Sequence, residues 1–568
     1  MANSSRNISC FILSFLLMAS FSQYLDARST YKIGVLIPFN NGEYCPSYGL
    51  LYAPAIQVAM EDIKKDKTLN FNINLVWNDT YCDEFLSIKQ QIWQLTNGVD
   101  AFVGPVLNCL TAANIASAFN KPMMSFACSD SQTIGNINTV AKTSLSITHI
   151  YHPLMAVLKK FNWKKVAIVY QKDGSNWEHI YDYVHKKMNR HEKVTITLVE
   201  DHEVDYQRFH NNDYTHVRES VKKISRKARI VILLTEHHLT VEYVLAAYEE
   251  KLIQTGEYVF ICFQLNLQGT YKRSQMKWYF RGFSSISKLE EIMDAFGSVL
   301  IIQPRVGSYG FKTTDRYEKF SNKVKKLSLY PPFKSRWYTG CMVCKNSSQF
   351  VCSMQDCKIG LNESDVPVEA GNLYNAIREY VYALKKTLNK GEEPNGKNII
   401  ANLRGHTFDC VFGFKMTFDN SSNVIFNMTL LHQEYANGTK EKSKCEPFDA
   451  MNPCKVMKEL ASFWLNEKNH DEQSYHGLKK KIAWYKHFGL PKDTPDCGFN
   501  NELCRNKKKK SNNWIKIAGI FCGAFAVFIL LFIVLVLVFR RYCKKNNSDF
   551  SFSFKNQRST DEELLDSQ

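Results

Sequence analysis

The sequence predicts an α/β fold in which two parallel sheets, each flanked by helices, form a two-lobed ectodomain followed by one transmembrane helix. Three observations support this fold class. Short apolar runs alternate with segments of helical period from residue 31 to about residue 300, which is the pattern of strands joined by crossover helices. This alternation is long enough to build two sheets. Residues 517–539 carry no charge and are long enough for a helix that crosses the hydrocarbon core.

The first lobe is expected at about residues 31–145. Its strand candidates are continuous or alternating apolar runs, and a helix candidate follows most of them. The strands are expected at 32–39, 71–77, 101–104 and 123–127, and the helices at 53–63, 84–96 and 111–119. Because strands and helices alternate, the sheet is expected to be parallel and covered on both faces.

The second lobe is expected at about residues 146–300. A helix with its apolar face at 154–161 begins this lobe, and the strands are expected at 165–170, 194–199, 230–234 and 258–263. The chain is then expected to return to the first lobe, with an amphipathic helix at 373–384 and strands joined by a turn within 409–431. The ligand-binding ectodomain would span residues 31–490, and ligands commonly bind in the crevice between two such lobes.

The first 27 residues are typical of a signal peptide. Ile8–Phe21 is a short apolar run preceded by Arg6, and small residues suited to cleavage follow at Ser20, Ser22 and Ala27. An uncleaved anchor is the alternative. The signal peptide predicts a single-pass type I plasma-membrane protein with its ectodomain outside the cell. A juxtamembrane stalk is then expected at 491–516, the transmembrane helix at 517–539 and a short cytoplasmic tail at 540–568.

The formal net charge of +17 raises the question of a nucleic-acid partner. Many of the basic residues flank the apolar segment, at Arg505, Lys507–Lys510 and Lys516 before it and at 540–545 after it. Basic runs in that position usually lie at a membrane surface. Nucleic-acid motifs are missing from the sequence, so a membrane is predicted and a nucleic-acid partner is not.

The cysteine count points to an oxidising compartment. There are 17 cysteines, and setting aside Cys10, Cys522 and Cys543 leaves 14 in the ectodomain, an even number that suggests disulfide pairing. An insert at 341–357 holds cysteines whose C-x-x-C spacing would also suit zinc, but disulfides are favoured outside the cell. Glycosylation sequons begin at Asn78, Asn346, Asn362, Asn420, Asn427 and Asn437.

No pattern in the sequence predicts a metal site or a catalytic residue. The histidine pairs His149/His152 and His237/His238 lack a carboxylate in a recognised ligand pattern. Walker, G-x-G-x-x-G, G-x-S-x-G and H-E-x-x-H motifs are missing as well. These observations favour a binding protein over an enzyme.

Several segments resemble the ligand-binding ectodomain of natriuretic peptide receptors and receptor guanylyl cyclases. The opening is similar to the start of that family, with IGVLIPF at 33–39 and PAIQVAMEDI at 54–63. Further similar segments are FVGPVLNC (102–109), NKPMMSFAC (120–128), LKKFNWKKVAIVY (158–170) and EAGNLYNAIREYVYAL (369–384). The most specific is LPKDTPDCGFNNELC at 490–504, which resembles the juxtamembrane ending of the cyclase-linked members. The resemblance covers roughly residues 31–540 and implies a type I periplasmic-binding-protein-like fold.

The resemblance also implies two disulfides, one from Cys82 to Cys109 and one from Cys497 to Cys504. Proximity and elimination suggest pairing Cys45 with Cys128 and Cys445 with Cys454, and they leave Cys262 and Cys410 without partners. Sequence alone leaves the connectivity open.

The family binds chloride near its first disulfide through a Gly-Cys pair. Here Gly104 and Cys109 stand farther apart than in the family, and this departure weakens the chloride expectation. No other cofactor is expected.

The family's hormone contacts, carried over by position, imply ligand contacts at Glu84, Tyr170 and Trp177. Aromatic residues suit such contacts because they bury a large area at a low cost in entropy. The alternative is that Tyr170 ends a core strand and Trp177 packs against its own helix.

The resemblance implies a receptor for a natriuretic-like peptide hormone, with a homodimer or a heterodimer with a full-length receptor guanylyl cyclase as its assembly. About 29 residues follow the apolar segment, fewer than a typical domain needs, so the expectation is a receptor without catalysis that clears or sequesters hormone. Asp561–Leu565 resembles an acidic dileucine signal for endocytic adaptors. The alternative function is a small-molecule-sensing receptor subunit with the same two-lobed fold.

Overall fold

The computed structural model describes residues 29–39, 49–128, 137–172, 176–190, 197–205, 214–265, 288–305, 315–335, 341–344, 357–360, 366–435, 455–466, 469–477, 482, 484, 489–500 and 502–545. The chain divides into two compact units, Met1–Thr494 and Pro495–Gln568. The two units are described one at a time.

The first unit begins with a five-stranded sheet whose strands all pair in parallel. Its strands are β1 (Thr30–Ile37), β2 (Asn72–Asp79), β3 (Ala101–Val103), β4 (Met123–Ser125) and β5 (Val140–Lys142). They lie in the order β2-β1-β3-β4-β5. Its helices are α1 (Gly49–Tyr52), α2 (Pro54–Lys65), α3 (Glu84–Thr96) and α4 (Cys109–Ala118). Each strand predicted for this lobe is present, and β5 is an additional one.

Strand β1 shows why this sheet forms. Ile33, Val35 and Ile37 alternate along the strand and are buried in the main apolar core with Val58 and Ile63 of α2. Residues at every second position of a strand point to one face, so this face of the sheet is covered by α2. The covered parallel sheet confirms the predicted fold class.

The second sheet begins with five parallel strands. They are β6 (Lys165–Lys172), β7 (Thr197–Asp205), β8 (Ile230–Leu234), β9 (Val259–Phe263) and β10 (Val299–Pro304). The helices that accompany them are α5 (Thr148–Lys160), α6 (Asn176–Arg190), α7 (Thr215–Ser225), α8 (His237–Glu249) and α9 (Leu289–Ala295). Strands β8 and β9 are fully buried runs, as expected for central strands of a parallel sheet.

After β10 the chain packs against the first sheet again. The next elements are α10 (Asp315–Leu327), β11 (Cys341–Cys344), β12 (Cys357–Gly360), α11 (Val368–Asn389), α12 (Gly396–Ala401), β13 (Thr407–Asp409), β14 (Lys415–Phe418) and β15 (Val424–Ile425). The hydroxyl group of Tyr374 in α11 donates to Oδ2 of Asp62 in α2 at 2.9 Å. A bridge between Lys142 and Asn423 adds a link beside β5.

The chain then re-enters the second sheet, which the sequence did not predict. Strands β16 (Met428–Tyr435), β17 (Lys455–Asn466) and β18 (Asn469–Gly477) extend it in antiparallel pairing from β10. The full order is β18-β17-β16-β10-β9-β8-β6-β7. Strand periodicity alone does not reveal which sheet a late strand joins, because pairing partners are set by tertiary contacts.

Two predicted disulfide pairings are wrong. Cys109 is bonded to Cys128 with a Cα–Cα distance of 6.3 Å, so Cys109 does not pair with Cys82 and Cys128 does not pair with Cys45. The physical reason is that β3 and β4 are neighbours, and Cys109 and Cys128 follow their carboxyl ends at the same edge of the sheet. Cys82 is also disulfide-bonded.

The other cysteine predictions have different outcomes. Cys262 and Cys410 are buried and are not disulfide-bonded, while Cys445 and Cys454 lie outside the described residues. In the insert, β11 and β12 are antiparallel and Cys344 lies opposite Cys357. The pairing of the insert cysteines stays a prediction.

The second unit contains a bridged loop and one long helix. The predicted disulfide between Cys497 and Cys504 is confirmed, with a Cα–Cα distance of 4.9 Å. Helix α13 spans Glu502–Lys545. Within it, the 24 residues Gly519–Tyr542 have a mean hydropathy of 3.2, so they are long and apolar enough to cross a membrane.

Candidate functional site

Helix α3 turns its polar side toward the protein and its apolar side toward solvent. The buried residues of this helix are Ser87, Gln91 and Gln94, which are spaced i, i+4 and i+7 on one face. Ile88 and Leu95 are half-buried beside them. A surface helix of a globular protein usually has the reverse arrangement, with its apolar stripe on the core. The outer face of α3 is therefore unlike an ordinary solvated surface.

Side-chain hydrogen bonds hold the polar face of α3 in place. Nε2 of Gln91 donates to the carbonyl oxygen of Ala112 in α4 at 2.9 Å. Nε2 of Gln94 donates to Oδ1 of Asn78 in β2 at 2.7 Å. Buried amides that find partners cost little, whereas unpaired ones cost about 1–3 kcal/mol each. These two bonds favour the observed orientation of the helix, while Oε1 of both glutamines and Oγ of Ser87 are buried without a hydrogen-bond partner.

A glycine in β1 makes this orientation possible. Nε2 of Gln94 also approaches the carbonyl oxygen of Val35 at 3.3 Å. A Cβ atom at Gly34 would collide with the side chain of Gln94. The missing side chain at position 34 thus leaves the space through which the Gln94 amide reaches the strand.

The outer face of α3 carries large exposed apolar side chains. Phe85 is 77% exposed, Ile92 is 47% exposed and Trp93 is 48% exposed, and Tyr81 just before the helix is 52% exposed. We call these four residues the α3 surface. Phe119, which ends the neighbouring helix α4, is also exposed. Clustered exposed aromatic residues of this kind mark interaction sites on soluble domains.

Glu84, a predicted ligand contact, is the first residue of α3 and is exposed beside Phe85. Ligand contact at Glu84 stays a prediction, and the sequence analysis did not single out the three large residues on the outer face of the same helix. The signal was available in principle, because residues 84–96 contain three glutamines, Gln90, Gln91 and Gln94, among the apolar residues.

The two predicted aromatic contacts, Tyr170 and Trp177, lie in β6 and α6, beside the second sheet. Tyr170 lies half-buried near the end of β6 and stacks on Tyr181 of α6, with ring centroids 3.7 Å apart. Trp177 is only 6% exposed, and its Nε1 donates to Oε1 of Glu236 at 3.1 Å. The indole of Trp177 is therefore buried and bonded to a residue outside its own helix. Ligand contact by either residue stays a prediction.

Polar side chains gather at the carboxyl ends of the parallel strands of the second sheet. Oε1 of Gln171, near the end of β6, accepts a hydrogen bond from the backbone N–H of Glu236, after β8, at 3.1 Å. Gln303 in β10 is completely buried, and neither its Oε1 nor its Nε2 has a hydrogen-bond partner. An unpaired buried amide of this kind calls for an explanation, such as an unseen water or ligand.

A buried carboxyl group lies at the start of α11. Burial raises the pKa of the Glu369 carboxyl to about 7, and its Oε2 has no hydrogen-bond partner. The pKa of the Tyr52 phenol is raised well above its ordinary value, first by burial and then by the charges of Glu369 and Asp79. The protonation of Glu369 therefore changes near neutral pH.

The chloride expectation gains no support from the residues around Cys109. The Sγ atoms of Cys109 and Cys128 lie 3.4 and 3.2 Å from the carbonyl oxygen of Pro105, a group that repels an anion. Among the described residues, no group of three or more His, Cys, Asp or Glu side chains is placed to hold a metal ion.

The predicted glycosylation sites fall in different environments. Asn420 is exposed in the turn between β14 and β15, whereas Asn78 and Asn427 are half-buried. Asn78 also accepts the hydrogen bond from Gln94. Asn346, Asn362 and Asn437 lie outside the described residues. Glycosylation at all six positions stays a prediction.

Comparison with known proteins identifies relatives over most of the chain. A family described as "Receptor family ligand binding region" matches residues 51–432. The receptor-type guanylate cyclase Gyc76C of Drosophila melanogaster is 22% identical over 94% of this chain and 34% of its own length. The Resact receptor of Arbacia punctulata is 20% identical over 84% of this chain and 47% of its own length. The Speract receptor of Strongylocentrotus purpuratus is 19% identical over 80% of this chain and 39% of its own length.

The chain thus spans about a third to a half of the length of these relatives. Among solved structures, it is similar to a solute binding protein of an ABC transporter from Rhodopseudomonas palustris BisB5 in complex with 3,4-dihydroxy benzoic acid. That similarity has 14% identity and a TM-score of 0.47, and it covers 76% of this chain and 97% of the other.

Proposed function

Because this chain belongs to the family of receptor ligand-binding regions, we propose that it is a single-pass type I cell-surface receptor for an extracellular peptide ligand. Two of its relatives are the Resact receptor and the Speract receptor. The proposed ligand is a natriuretic-like peptide hormone, as the sequence resemblance implies.

The observation that carries this proposal is the α3 surface. Its apolar residues are exposed because buried glutamines occupy the inner face of the helix. Leaving the four side chains of the α3 surface in water forgoes at most about 1.5–3 kcal/mol for each one that a partner would cover completely. We therefore assign the α3 surface to contact with a second receptor chain, either another copy of this chain or a full-length receptor guanylyl cyclase.

The second chain would bring two copies of Glu84 near a common axis. A two-fold interface presents the same patch from both subunits. Glu84 is exposed at the start of α3, directly beside Phe85. A peptide bound at the edge of this interface would contact both subunits, and a carboxylate there would suit a basic peptide.

The proposed action of the receptor requires no catalysis by this chain. It would bind the hormone and remove it by internalisation, or it would pair with a receptor guanylyl cyclase and lower its output. Internalisation would use the acidic dileucine sequence at Asp561–Leu565 and endocytic adaptors.

The direct test is saturation binding and uptake of labelled natriuretic-type peptides by cells that express the full chain. A variant ending at Cys543 is the matched control for the tail. Saturable binding to both proteins, with uptake only by the full chain, supports a clearance receptor. Absence of binding to a folded surface protein rejects this class of peptide.

A second measurement separates clearance from catalysis. Cyclic GMP is measured in cells that express this chain alone and in cells that also express a receptor guanylyl cyclase. No hormone-dependent rise with the chain alone, and a reduced rise on co-expression, agree with the proposal. A rise with this chain alone contradicts it.

A small-molecule sensor is the second candidate function. The observation that favours it is Gln303, which has two unpaired polar atoms at the carboxyl end of β10, where α/β proteins commonly bind ligands. A thermal-shift screen of the full chain with free amino acids tests this candidate. A stabilising amino acid whose effect disappears in Gln303→Leu would favour it over the peptide receptor.

A further inference from the structure

The stalk before the apolar span contains a dense basic segment. Residues 505–516 include six basic residues and no acidic residue. The basic residues are Arg505, Lys507, Lys508, Lys509, Lys510 and Lys516. All of them belong to helix α13, which runs without interruption from Glu502 to Lys545. The segment is therefore a rigid continuation of the helix that contains the apolar span.

The neighbouring disulfide shows on which side of the membrane this segment lies. Cys504 is bonded to Cys497, and Cys504 is the residue directly before Arg505. Stable disulfides form in the extracellular or luminal compartment and are rare in the cytosol. The basic segment is thus on the extracellular side, where the positive-inside rule disfavours clustered lysines. A cluster kept on that side calls for a functional reason.

The distance to the membrane argues against lipid headgroups as the partner. At 1.5 Å per residue, Lys507–Lys510 lie about 14–18 Å along the helix axis from Gly519, where the apolar span begins. The headgroup layer is only about 5–8 Å thick. The Debye length at physiological salt is about 8 Å, and the strongly anionic leaflet is the cytoplasmic one. Positions 507–510 of the helix therefore lie beyond the headgroup layer.

The helical spacing arranges part of the charge in a line. At about 100° per residue, positions 505, 508 and 509 fall within about 100° of one another over about 6 Å of the helix axis, and position 516 lies on the same side close to the apolar span. Lys507 and Lys510 are separated by one turn, and like charges at that spacing destabilise a helix. A linear polyanion lying along the helix would neutralise this repulsion and gain the attraction of the basic stripe.

We propose that Arg505–Lys516 is a binding site for a sulfated glycosaminoglycan chain on the cell surface. The segment has the dense lysine and arginine content that binds such polyanions, it lies on the extracellular side, and it is held next to the membrane by a single continuous helix. Glycan bound there would sit against the stalk of the receptor. This proposal is independent of the identity of the hormone.

The test uses the full chain in phosphatidylcholine nanodiscs and a heparin-derived octasaccharide as the probe. The test variant changes Lys507, Lys508, Lys509 and Lys510 to Gln. The control variant has the same charge change at four exposed lysines in the last turns of two helices, Lys64, Lys65, Lys159 and Lys160. We expect the test variant to lose affinity by about ten-fold or more at physiological salt, with a smaller salt dependence of binding. The control variant should bind like the unchanged protein.

Two outcomes would overturn the proposal. One is that the test variant binds the octasaccharide as tightly as the unchanged protein does, or that the control variant loses as much affinity as the test variant. The other is that the octasaccharide does not bind the protein in phosphatidylcholine nanodiscs, while the protein retains phosphatidylserine in nanodiscs of mixed lipid composition only when the four lysines are present. That result would assign the segment to lipid. Saturation binding of the hormone peptide to the same variants measures the proposed receptor function separately from octasaccharide binding.

Discussion

The indole Nε1 of Trp163 donates a hydrogen bond to the carbonyl oxygen of Pro491 at 2.8 Å, across 328 residues of sequence. One oxygen of Asp493 accepts hydrogen bonds from the backbone N–H groups of Lys164 and Lys165. These contacts fasten the last residues of the first unit to the start of β6. The segment that precedes the stalk is therefore attached to the part of the molecule that contains the second sheet.

Replacing Trp163 tests this attachment. Trp163 is fully buried, and Trp163→Phe removes the indole donor and leaves the Pro491 carbonyl unpaired. We expect the free energy of unfolding to fall by about 1–3 kcal/mol. The measurement is denaturant unfolding of the full chain in detergent. Trp93→Phe is the matched control, because Trp93 is half-exposed on α3, and it should stay within about 0.5 kcal/mol of the unchanged protein.

Replacing Phe85 tests the α3 surface. Phe85→Glu places a charge at the most exposed aromatic residue of α3 and should reduce self-association of the full chain in detergent by about ten-fold or more, since central aromatic residues dominate interface energy. Light scattering coupled to gel filtration measures the change. Leu329→Glu, at an exposed leucine outside α3, is the control and should not alter assembly. Unchanged assembly in Phe85→Glu would reject the assignment of this surface.

Stability should depend on pH through Glu369. Its pKa is about 7 in the folded protein against 4.5 as the ordinary value, so between these values the folded state holds a proton that the unfolded chain releases. The free energy of unfolding should therefore fall as pH rises from about 4.5 to about 7, by roughly 3 kcal/mol. Glu369→Gln, which is neutral at every pH, should remove this part of the slope. Parallel pH profiles for the two proteins would contradict the prediction.

Gln303 should tolerate an apolar replacement. Because neither amide atom has a partner, Gln303→Leu should raise the free energy of unfolding by about 1 kcal/mol. Gln171→Leu is the matched control, since Gln171 is equally buried but accepts a hydrogen bond from the Glu236 N–H, and it should lower stability by a similar amount. Thermal unfolding of the full chain measures the stability of both variants and of the unchanged protein. A loss of stability in Gln303→Leu would show that its amide has a partner such as water.

The revised disulfide can be checked chemically. Digestion of the non-reduced protein should yield a linked peptide pair that contains Cys109 and Cys128, which are 19 residues apart. Replacing both cysteines with Ser should lower the free energy of unfolding by about 3 kcal/mol, because a closed loop of that length restricts the unfolded chain. A linked pair containing Cys82 and Cys109 would restore the pairing that the sequence resemblance implied.

Much of the architecture was predictable from the sequence. The alternation of apolar runs and amphipathic segments located the strands β1–β4 and β6–β9, because burial on both faces of a parallel sheet leaves a continuous apolar run. The uncharged segment near residue 517 located the apolar part of α13 for a similar reason, since composition alone decides whether a helix can enter lipid. The Cys497–Cys504 bridge, which the family resemblance implied, is also confirmed.

The tertiary structure decided everything that depends on which element lies beside which. The partner of Cys109 follows from the adjacency of β3 and β4, and the last three strands join the second sheet through pairing with β10. The orientation of α3 is the clearest case. Its sequence has an apolar side and a polar side, and the period alone would place the apolar side inward. The space above Gly34 and the hydrogen bonds of Gln91 and Gln94 reverse that choice. The Nε2 atoms of these buried glutamines find partners on α4 and β2, and this orientation leaves Phe85, Ile92 and Trp93 facing solvent.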